Sequence, residues 1–297
     1  MNTSVSTGHI TAALELPAPV DGEALARQVD RFLPGGWHLT PATTAGGEAR
    51  VVVEDALQHH PEVSVHGQMV RLRLPHQALT SATLGYVVYT ALERARQQRQ
   101  MLTLHANAMI SPSGLAVVLL GNKGAGKTST ILALAERGWT HAGDDLIVLT
   151  EHSGGLAVLP GKPTAAVRPP AAPDRWDAPK PLIDLAPFAT GPADVTLFVR
   201  LTVHPAQPVA RMASAIPFNT NEVLRLSEAT ARYISGLPTP LTGPTRTPYA
   251  PVWPLDTPDL ALWRGHVIDR MEAGPYAYLR APSAAHAADL ITKEITT

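Results

Sequence analysis

The sequence of 297 residues contains no cysteine. This absence excludes disulfide bonds, thiolate catalysis and zinc sites built on cysteine. The chain also lacks an apolar run near the roughly 18–20 residues that a membrane-spanning helix needs. Its first residues show no basic segment followed by an apolar one, so they do not match a secretory signal. We therefore expect a cytoplasmic protein with no membrane partner.

The sequence also lacks an excess of charge of either sign. The 24 Lys and Arg residues balance 25 Asp and Glu residues, which leaves a net charge near −1. No basic run of five or more residues occurs. Such a chain has no electrostatic field that would attract nucleic acid or an anionic membrane, so we expect neither as a partner. Its length allows roughly three quarters of the unfolded chain's surface to be buried in a core.

The chain has two parts with different patterns. Residues 1–100 combine short strand-like runs with an amphipathic segment at 22–33 and a helical pattern at 81–98. They predict an N-terminal α+β extension. Residues 101–297 mix strand-like and helical patterns and predict a second domain. Because several of its strands are joined by short turns, we expect a mixed rather than a purely parallel sheet.

The glycine-rich segment "GNKGAGKTS" is the most specific motif. It satisfies G-x-x-x-x-G-K-[ST], with a strand-like run before it and a helical pattern after it. Glycines allow successive backbone amides to point at one anion, and the helix N-terminus adds a positive end. Lys127 would bind the β- and γ-phosphates, and the Thr128 hydroxyl would bind Mg²⁺. The residues predicted to bind the nucleotide are Gly121, Asn122, Lys123, Gly124, Ala125, Gly126, Lys127, Thr128 and Ser129.

Two adjacent aspartates, Asp144 and Asp145, precede the apolar run "LIVL". In most phosphate-loop proteins the metal-binding aspartate instead ends such a run, and here the later run "VTLFVRLTVHP" passes into His204. A helix and one short strand would bring the pair back beside the loop. One carboxylate on Mg²⁺ and one accepting a hydroxyl proton would suit phosphoryl transfer to an alcohol. The alternative is a solvated pair at the end of a strand.

The stretch from "LHANAM" through the phosphate loop to "THAGDDLIVL" resembles the core of the HPr kinase/phosphorylase group and its shorter kinase relatives. That core is shared with phosphoenolpyruvate carboxykinase. The matching pieces are His105, the loop 121–128, Arg137–Gly138 and Asp144–Asp145, and the resemblance covers about residues 102–190. It implies an α/β fold class, a mixed-sheet P-loop kinase core of this type carrying the N-terminal α+β extension.

The resemblance also implies roles for single residues. Asp145 would help Thr128 to hold Mg²⁺, and Asp144 would be the general base that accepts the substrate's proton. His105 would lie near the transferring phosphate, although a buried histidine satisfied within the sheet is the alternative. The segment by which full-length HPr kinases engage their protein substrate has no clear counterpart here. This departure favours the shorter kinases, some of which modify peptides or small molecules.

Two further cations, Arg168 and Lys180, are candidates for clamping phosphate or an acidic substrate, with solvated loop cations as the alternative. Both lie in a proline-rich segment around 160–180. A second such segment spans about 236–258. Proline neither continues a helix nor donates to a strand ladder, so both segments predict ordered loops. We expect these loops to close over the substrate.

Together these patterns predict an ATP- and Mg²⁺-dependent kinase that transfers the γ-phosphoryl group to a hydroxyl, foremost a Ser or Thr of a peptide or protein. A kinase of a small hydroxylated metabolite and a non-catalytic nucleotide-binding regulatory module are the alternatives. No N-K-x-D motif follows the loop to read a base, so GTP or pyrophosphate also remains open as the donor. A homo-oligomer is likewise left open.

Overall fold

The structure is a computed structural model that describes residues 2–18, 20–41, 49–56, 61–80, 82–167, 180–214, 216–235 and 254–296. The chain divides into two compact units. The first comprises Met1–Thr103 with Leu224–His266, and the second comprises Leu104–Val223 with Val267–Thr297. The predicted division into residues 1–100 and 101–297 stays a prediction. Both units are mixed α/β, and each contains a mixed sheet.

The first unit contains a six-stranded sheet in the order β3-β1-β2-β4-β6-β5. Its β2, β4 and β6 run parallel, whereas β1, β3 and β5 join it by antiparallel pairing. The strands β5 and β6 form an antiparallel hairpin in which His66 pairs with Met69. The elements are β1 (Asn2–Thr7), β2 (Ile10–Glu15), α1 (Gly22–Val29), β3 (Trp37–Pro41), β4 (Arg50–Asp55), β5 (Glu62–His66), β6 (Met69–Leu74), α2 (His76–Leu79), α3 (Thr83–Ala91) and α4 (Glu93–Gln98).

The helical pattern over 81–98 forms two helices rather than one. Leu92, with φ −85° and ψ −2°, separates α3 from α4. In α4 the Glu93 carboxylate and the Arg96 guanidinium are fully buried and lie 2.8 Å apart. Arg96 also donates to the carbonyl oxygens of Gly8 and Tyr89. The charged residues at the C-terminal end of the pattern therefore form a buried network.

The second unit contains the strands that carry the nucleotide motif. The strand β7 (Met101–Leu104) crosses from the first unit into it, and α6 (Thr220–Ala231) and α7 (Pro258–Ala273) also cross unit boundaries. The other elements are β8 (Asn107–Ile110), β9 (Ala116–Leu120), α5 (Lys127–Ala135), β10 (Thr140–Gly143), β11 (Ile147–His152), β12 (Gly155–Leu159), β13 (Thr164–Ala166), β14 (Leu182–Asp184), β15 (Ala193–Val203), β16 (Arg211–Ser214), β17 (Tyr276–Ala281) and α8 (Ala284–Thr296).

The sheet of the second unit is mixed, as the short turns predict. Within it the strands run β10-β8-β9-β15-β12-β11, and β17 pairs with both β15 and β16. The pairs β9–β15 and β15–β17 are parallel, and the remaining pairs of this path are antiparallel. Parallel strands end at the same edge of a sheet, so the C-termini of β9 and β15 lie together. This edge carries the phosphate loop.

One face of this sheet is packed against α5 and α8. The apolar side chains of α5, among them Ile131 and Leu134, form a core with Val199 and Leu201 of β15 and with residues of α8 such as Ile291. Ser283 accepts a hydrogen bond from the His286 amide and caps α8. Among the described residues no helix is long and apolar enough to cross a membrane.

Candidate functional site

The segment between β9 and α5 has the strand–loop–helix arrangement that the motif requires. It begins at Gly121 after β9 and ends at Gly126, which precedes the first residue of α5, Lys127. Asn122, Lys123 and Gly124 are exposed. The backbone amide of Val203 donates to the carbonyl of Ala125 at 3.0 Å and fastens the loop to the end of β15. The loop therefore presents its tip to solvent from a fixed base.

Gly126 is required by its surroundings. Its φ of +89° lies in the left-handed region, and a Cβ atom there would lie 2.6 Å from the Cβ of Val203. A side chain would meet both a backbone penalty and a steric clash. This close approach allows α5 to begin directly against β15, with its first amides facing the loop.

The Lys127 side chain turns back into the loop. Its Nζ donates to the carbonyl oxygen of Gly121 at 2.8 Å and lies 3.5 Å from that of Asn122. Burial lowers the pKa of Lys127, while the negative charges of Asp145 and Asp144 oppose that shift. The ammonium is thus held inside the loop by the loop's own carbonyl oxygens.

Strand pairing explains how the aspartates reach the loop. β8 runs antiparallel to β9, so its first residue, Asn107, lies opposite Leu119 near the C-terminal end of β9. β10 runs antiparallel to β8, and its last residue, Gly143, pairs with Ala108. Asp144 follows directly. The prediction that a helix and one short strand bring the aspartates back beside the loop is confirmed: these elements are α5 and β10.

Asp144 joins these elements through its Oδ1 atom. The Thr128 hydroxyl donates to this oxygen at 2.8 Å, and the Asn107 side-chain amide donates to it at 2.6 Å. The Asp144 residue is 1% exposed. Its second oxygen, Oδ2, is buried and has no hydrogen-bond partner in the part of the chain that the structure describes. One oxygen of this buried carboxylate is thus satisfied and the other is not.

The turn that carries the aspartates is held by backbone hydrogen bonds to residues 161 and 162. The Gly161 amide donates to the Ala142 carbonyl at 2.6 Å, and the Lys162 amide donates to the Leu146 carbonyl at 2.9 Å. In return the Asp144 amide donates to the Lys162 carbonyl at 3.2 Å. These bonds hold residues 142–146 against residues 161–162. The side chain of Lys162 then reaches the two aspartates.

Lys162 is buried between the two carboxylates. Its Nζ lies 3.4 Å from Asp145 Oδ2 and 3.7 Å from Asp144 Oδ2, and its side chain is 8% exposed. Burial raises the pKa of Asp144, and the neighbouring charge of Asp145 raises it further. Lys162 and the hydrogen bonds from Thr128 and Asn107 oppose this increase.

Asp145 differs from its neighbour in exposure and in backbone conformation. Its side chain is 44% exposed, and its φ is +62°, which is uncommon for a residue with a side chain. Its amide donates to the Asn107 side-chain oxygen at 3.3 Å. The second carboxylate is thus much more exposed than the first. Thr128 contacts Asp144. That Thr128 and Asp145 hold a metal together stays a prediction.

A third cation lies beside the loop on β15. Arg200 is paired in register with Leu120, the last residue before the loop, and its charge contributes to the lowered pKa of Lys127. Its Nε donates to Glu222 Oε1 at 2.9 Å, and the Tyr276 hydroxyl donates to the same oxygen at 2.5 Å. Because the Glu222 carboxylate pairs with this guanidinium, we do not assign Arg200 a role in binding the nucleotide.

The remaining predicted site residues are His105, Ser129, Lys180 and Arg168. His105 is half-buried at the break between β7 and β8, two residues before Asn107. Lys180 is exposed before β14, and Ser129 is exposed in α5. Arg168 lies outside the described residues, as do most of the two proline-rich segments. The roles of these residues stay predictions.

Sequence reasoning missed two residues of this site. Asn107 bridges both aspartates, and its only sequence signal is the polar position two residues after His105 in "HANAM". Lys162 stands in "PGKP", a loop-like context that carries no information about a partner 17 residues away. Among the described residues no group of three or more His, Cys, Asp or Glu side chains is placed to hold a metal ion.

No protein-family model and no curated protein matches this chain. Among solved structures the chain is similar to one described as the Hpr(Ser) kinase/phosphatase from Coxiella burnetii, with 20% sequence identity and a TM-score of 0.26. That similarity covers 37% of this chain and 70% of the other. The functional proposal therefore rests on the geometry of the site.

Proposed function

We propose that this protein is an ATP- and Mg²⁺-dependent kinase that transfers the γ-phosphoryl group to a hydroxyl. The supporting observation is the 2.8 Å hydrogen bond from the Thr128 hydroxyl to Asp144 Oδ1. It brings the last residue of a phosphate-binding motif and a buried carboxylate into one site, although they are far apart in sequence. A pure anion-binding loop has no need of that carboxylate.

The oxygen atoms at this point suit Mg²⁺. Mg²⁺ prefers hard oxygen ligands and is usually bound by one or two carboxylates together with substrate phosphates and waters. Thr128 offers a hydroxyl, and Asp144 offers a carboxylate whose buried Oδ2 has no hydrogen-bond partner among the described residues. Thr128 and Asp144 would hold the ion, which when bound would neutralise charge on the phosphates.

The protein's own groups would bind and orient the phosphates. The loop amides and the N-terminus of α5 would bind the anion, and Lys127 would exchange its bond to the Gly121 carbonyl for the β- and γ-phosphates. Phosphoryl transfer depends mainly on such positioning and on charge stabilisation.

The same geometry favours Asp145 as the general base. A base must reach the acceptor hydroxyl, and the Asp145 side chain is 44% exposed, whereas Asp144 is 1% exposed. The resemblance in sequence implies the opposite assignment, with Asp144 as the base and Asp145 on the metal. The contact of Thr128 with Asp144 favours the exchanged roles.

The experiment that tests this proposal uses the full chain, Mg²⁺, γ-labelled ATP and a lysate of the source cells. Label in macromolecules is separated from label in small molecules, and Mg²⁺–ATP binding is measured by calorimetry. The variants are Asp145→Asn and Asp144→Asn, with Asp194→Asn as the matched control. The control aspartate is 61% exposed and pairs with His152. We expect it to behave like wild type.

The exchanged roles predict that Asp145→Asn binds Mg²⁺–ATP like wild type but transfers no label, whereas Asp144→Asn binds it more weakly. Label on a protein or peptide identifies a peptide kinase, and label on a metabolite identifies a small-molecule kinase. If wild type binds Mg²⁺–ATP but neither lysate nor water receives the phosphoryl group, the non-catalytic module becomes the better account. If GTP or pyrophosphate alone supports transfer, the donor assignment changes.

A further inference from the structure

The chemistry proposed so far gives Lys162 no role, although both its backbone and its side chain contact the aspartates and their turn. Both of its backbone polar groups bond to the aspartate turn, through Leu146 and Asp144. Its ammonium is 3.4 Å from Asp145 Oδ2 and 3.7 Å from Asp144 Oδ2. Gly161 and Pro163 flank it in the chain, and neither residue could supply a charge.

Burying this ammonium is costly unless it is paired. A cation removed from water recovers the lost hydration only when opposite charges face it closely. Two adjacent carboxylates carry the converse problem, because each raises the cost of ionising the other. The position of Lys162 between the two carboxylates lowers both costs, that of burying the ammonium and that of placing two carboxylates side by side.

A divalent cation at Thr128 and Asp144 would meet the same carboxylates. The Asp144 oxygen that faces Lys162 is Oδ2, the buried atom without a hydrogen-bond partner among the described residues. Oδ2 faces the Lys162 ammonium at 3.7 Å but accepts no hydrogen bond from the described residues, whereas a buried polar atom is normally hydrogen-bonded, so this oxygen is available to a further ligand. Lys162 and the ion would repel one another at short range.

We propose that Lys162 is a positioning residue that serves as the fixed counter-cation of the Asp144–Asp145 pair and excludes a free divalent ion. It holds the carboxylates in place while the nucleotide is absent and weakens their affinity for an unaccompanied metal. The negative phosphates of the nucleotide offset the repulsion, so the metal enters together with the nucleotide. This inference rests on the proposed function for the identity of the site.

The test measures Mn²⁺ binding to the full-length protein by electron paramagnetic resonance, without nucleotide and then with ADP. The variants are Lys162→Met and Lys162→Gln, which remove the charge, and Lys162→Arg, which keeps it. Lys293→Met removes an equal charge from an exposed position on α8 and is the matched control. Circular dichroism identifies any variant that fails to fold, and the second neutral variant then decides.

Without nucleotide, both neutral variants should bind Mn²⁺ more tightly than wild type, by on the order of tenfold or more for a unit charge removed at such a distance. Lys162→Arg and Lys293→Met should resemble wild type. A tighter metal site is not what mere loss of structure would produce. An affinity that is unchanged or weaker in folded Lys162→Met or Lys162→Gln overturns the inference.

The inference and the proposed function fail in different ways. If wild type binds Mn²⁺ with ADP and the neutral variants bind free Mn²⁺ no better than wild type, the counter-cation role is wrong while the metal–nucleotide site stands. If wild type and all variants bind no Mn²⁺ with or without ADP, the proposed metal site is wrong, and the role of Lys162 fails with it.

Discussion

Replacing Gly161 with alanine should loosen the aspartate turn and leave the phosphate loop intact. A Cβ atom at Gly161 would lie 2.5 Å from the Leu146 carbonyl oxygen and 3.0 Å from both the Ala142 carbonyl oxygen and the Gly143 Cα. All three neighbours are backbone atoms, which cannot rotate away as a side chain can. The segment must therefore move by about 0.5 Å or more merely to restore a 3.0 Å contact.

That movement acts directly on the turn's hydrogen bonds. The bond from the Gly161 amide to the Ala142 carbonyl, at 2.6 Å, and the bond from the Lys162 amide to the Leu146 carbonyl, at 2.9 Å, cannot both keep their geometry. Overpacking of a tight site costs about 1–3 kcal/mol. We expect the free energy of unfolding to fall by this amount, measured by urea denaturation followed by circular dichroism.

The phosphate loop makes no hydrogen bond to Gly161, so Mg²⁺-free ADP binding should stay within about threefold of wild type. Phosphoryl transfer should fall far more, because a displacement near 1 Å in a catalytic group can cost about 100-fold. Gly191→Ala is the matched control, since a Cβ there meets no atom within 4 Å. If Gly161→Ala and Gly191→Ala are equally stable, the close packing of this turn does not constrain the aspartates and our reasoning is refuted.

Two further predictions concern buried ionisable groups. Burial lowers the pKa of His141 below its ordinary value near 6.5, and its Nδ1 has no hydrogen-bond partner within the described ranges. Because the unfolded chain then binds this proton more readily than the folded one, stability should be lost as pH falls below about 6.5. The loss between pH 8 and pH 5, from urea midpoints, should be smaller in His141→Leu; an equal loss would contradict the assignment. In the first unit, Arg96→Met leaves the buried Glu93 carboxylate unpaired and should cost about 3–5 kcal/mol in urea unfolding. Arg73→Met, at a 45% exposed ion pair, should cost under about 1 kcal/mol, and similar losses in both variants would refute the role of burial.

The sequence was sufficient for elements whose periodicity or motif is local. The strand before the phosphate loop, the helix after it and the hairpin of β11 and β12 follow from apolar runs broken by glycine. The terminal helix follows in the same way from its Ser283 cap. The need for glycine at position 126 is likewise local, because the phosphate-loop motif alone predicts a left-handed backbone conformation there.

Longer-range contacts escaped sequence reasoning for a physical reason. Lys162 reaches the aspartates only because residues 161–162 bond to the turn around Leu146, and no pattern in "PGKP" reports that contact. The helix over 81–98 was predicted whole because apolar spacing cannot show that Glu93 and Arg96 are buried as a pair. The break at His105 is similarly set by strand pairing rather than by the residue types around it.

The Asp144 oxygen without a partner also affects how this protein's stability should be measured. A buried acceptor without a hydrogen bond is unfavourable, so a ligand that binds this oxygen would stabilise the folded chain. Any molecule that binds the folded state alone raises stability in proportion to the logarithm of its concentration. A thermal-shift screen of nucleotides, metals and hydroxylated compounds could therefore find ligands before any reaction is known. The melting temperature would serve as the assay for a substrate not yet identified.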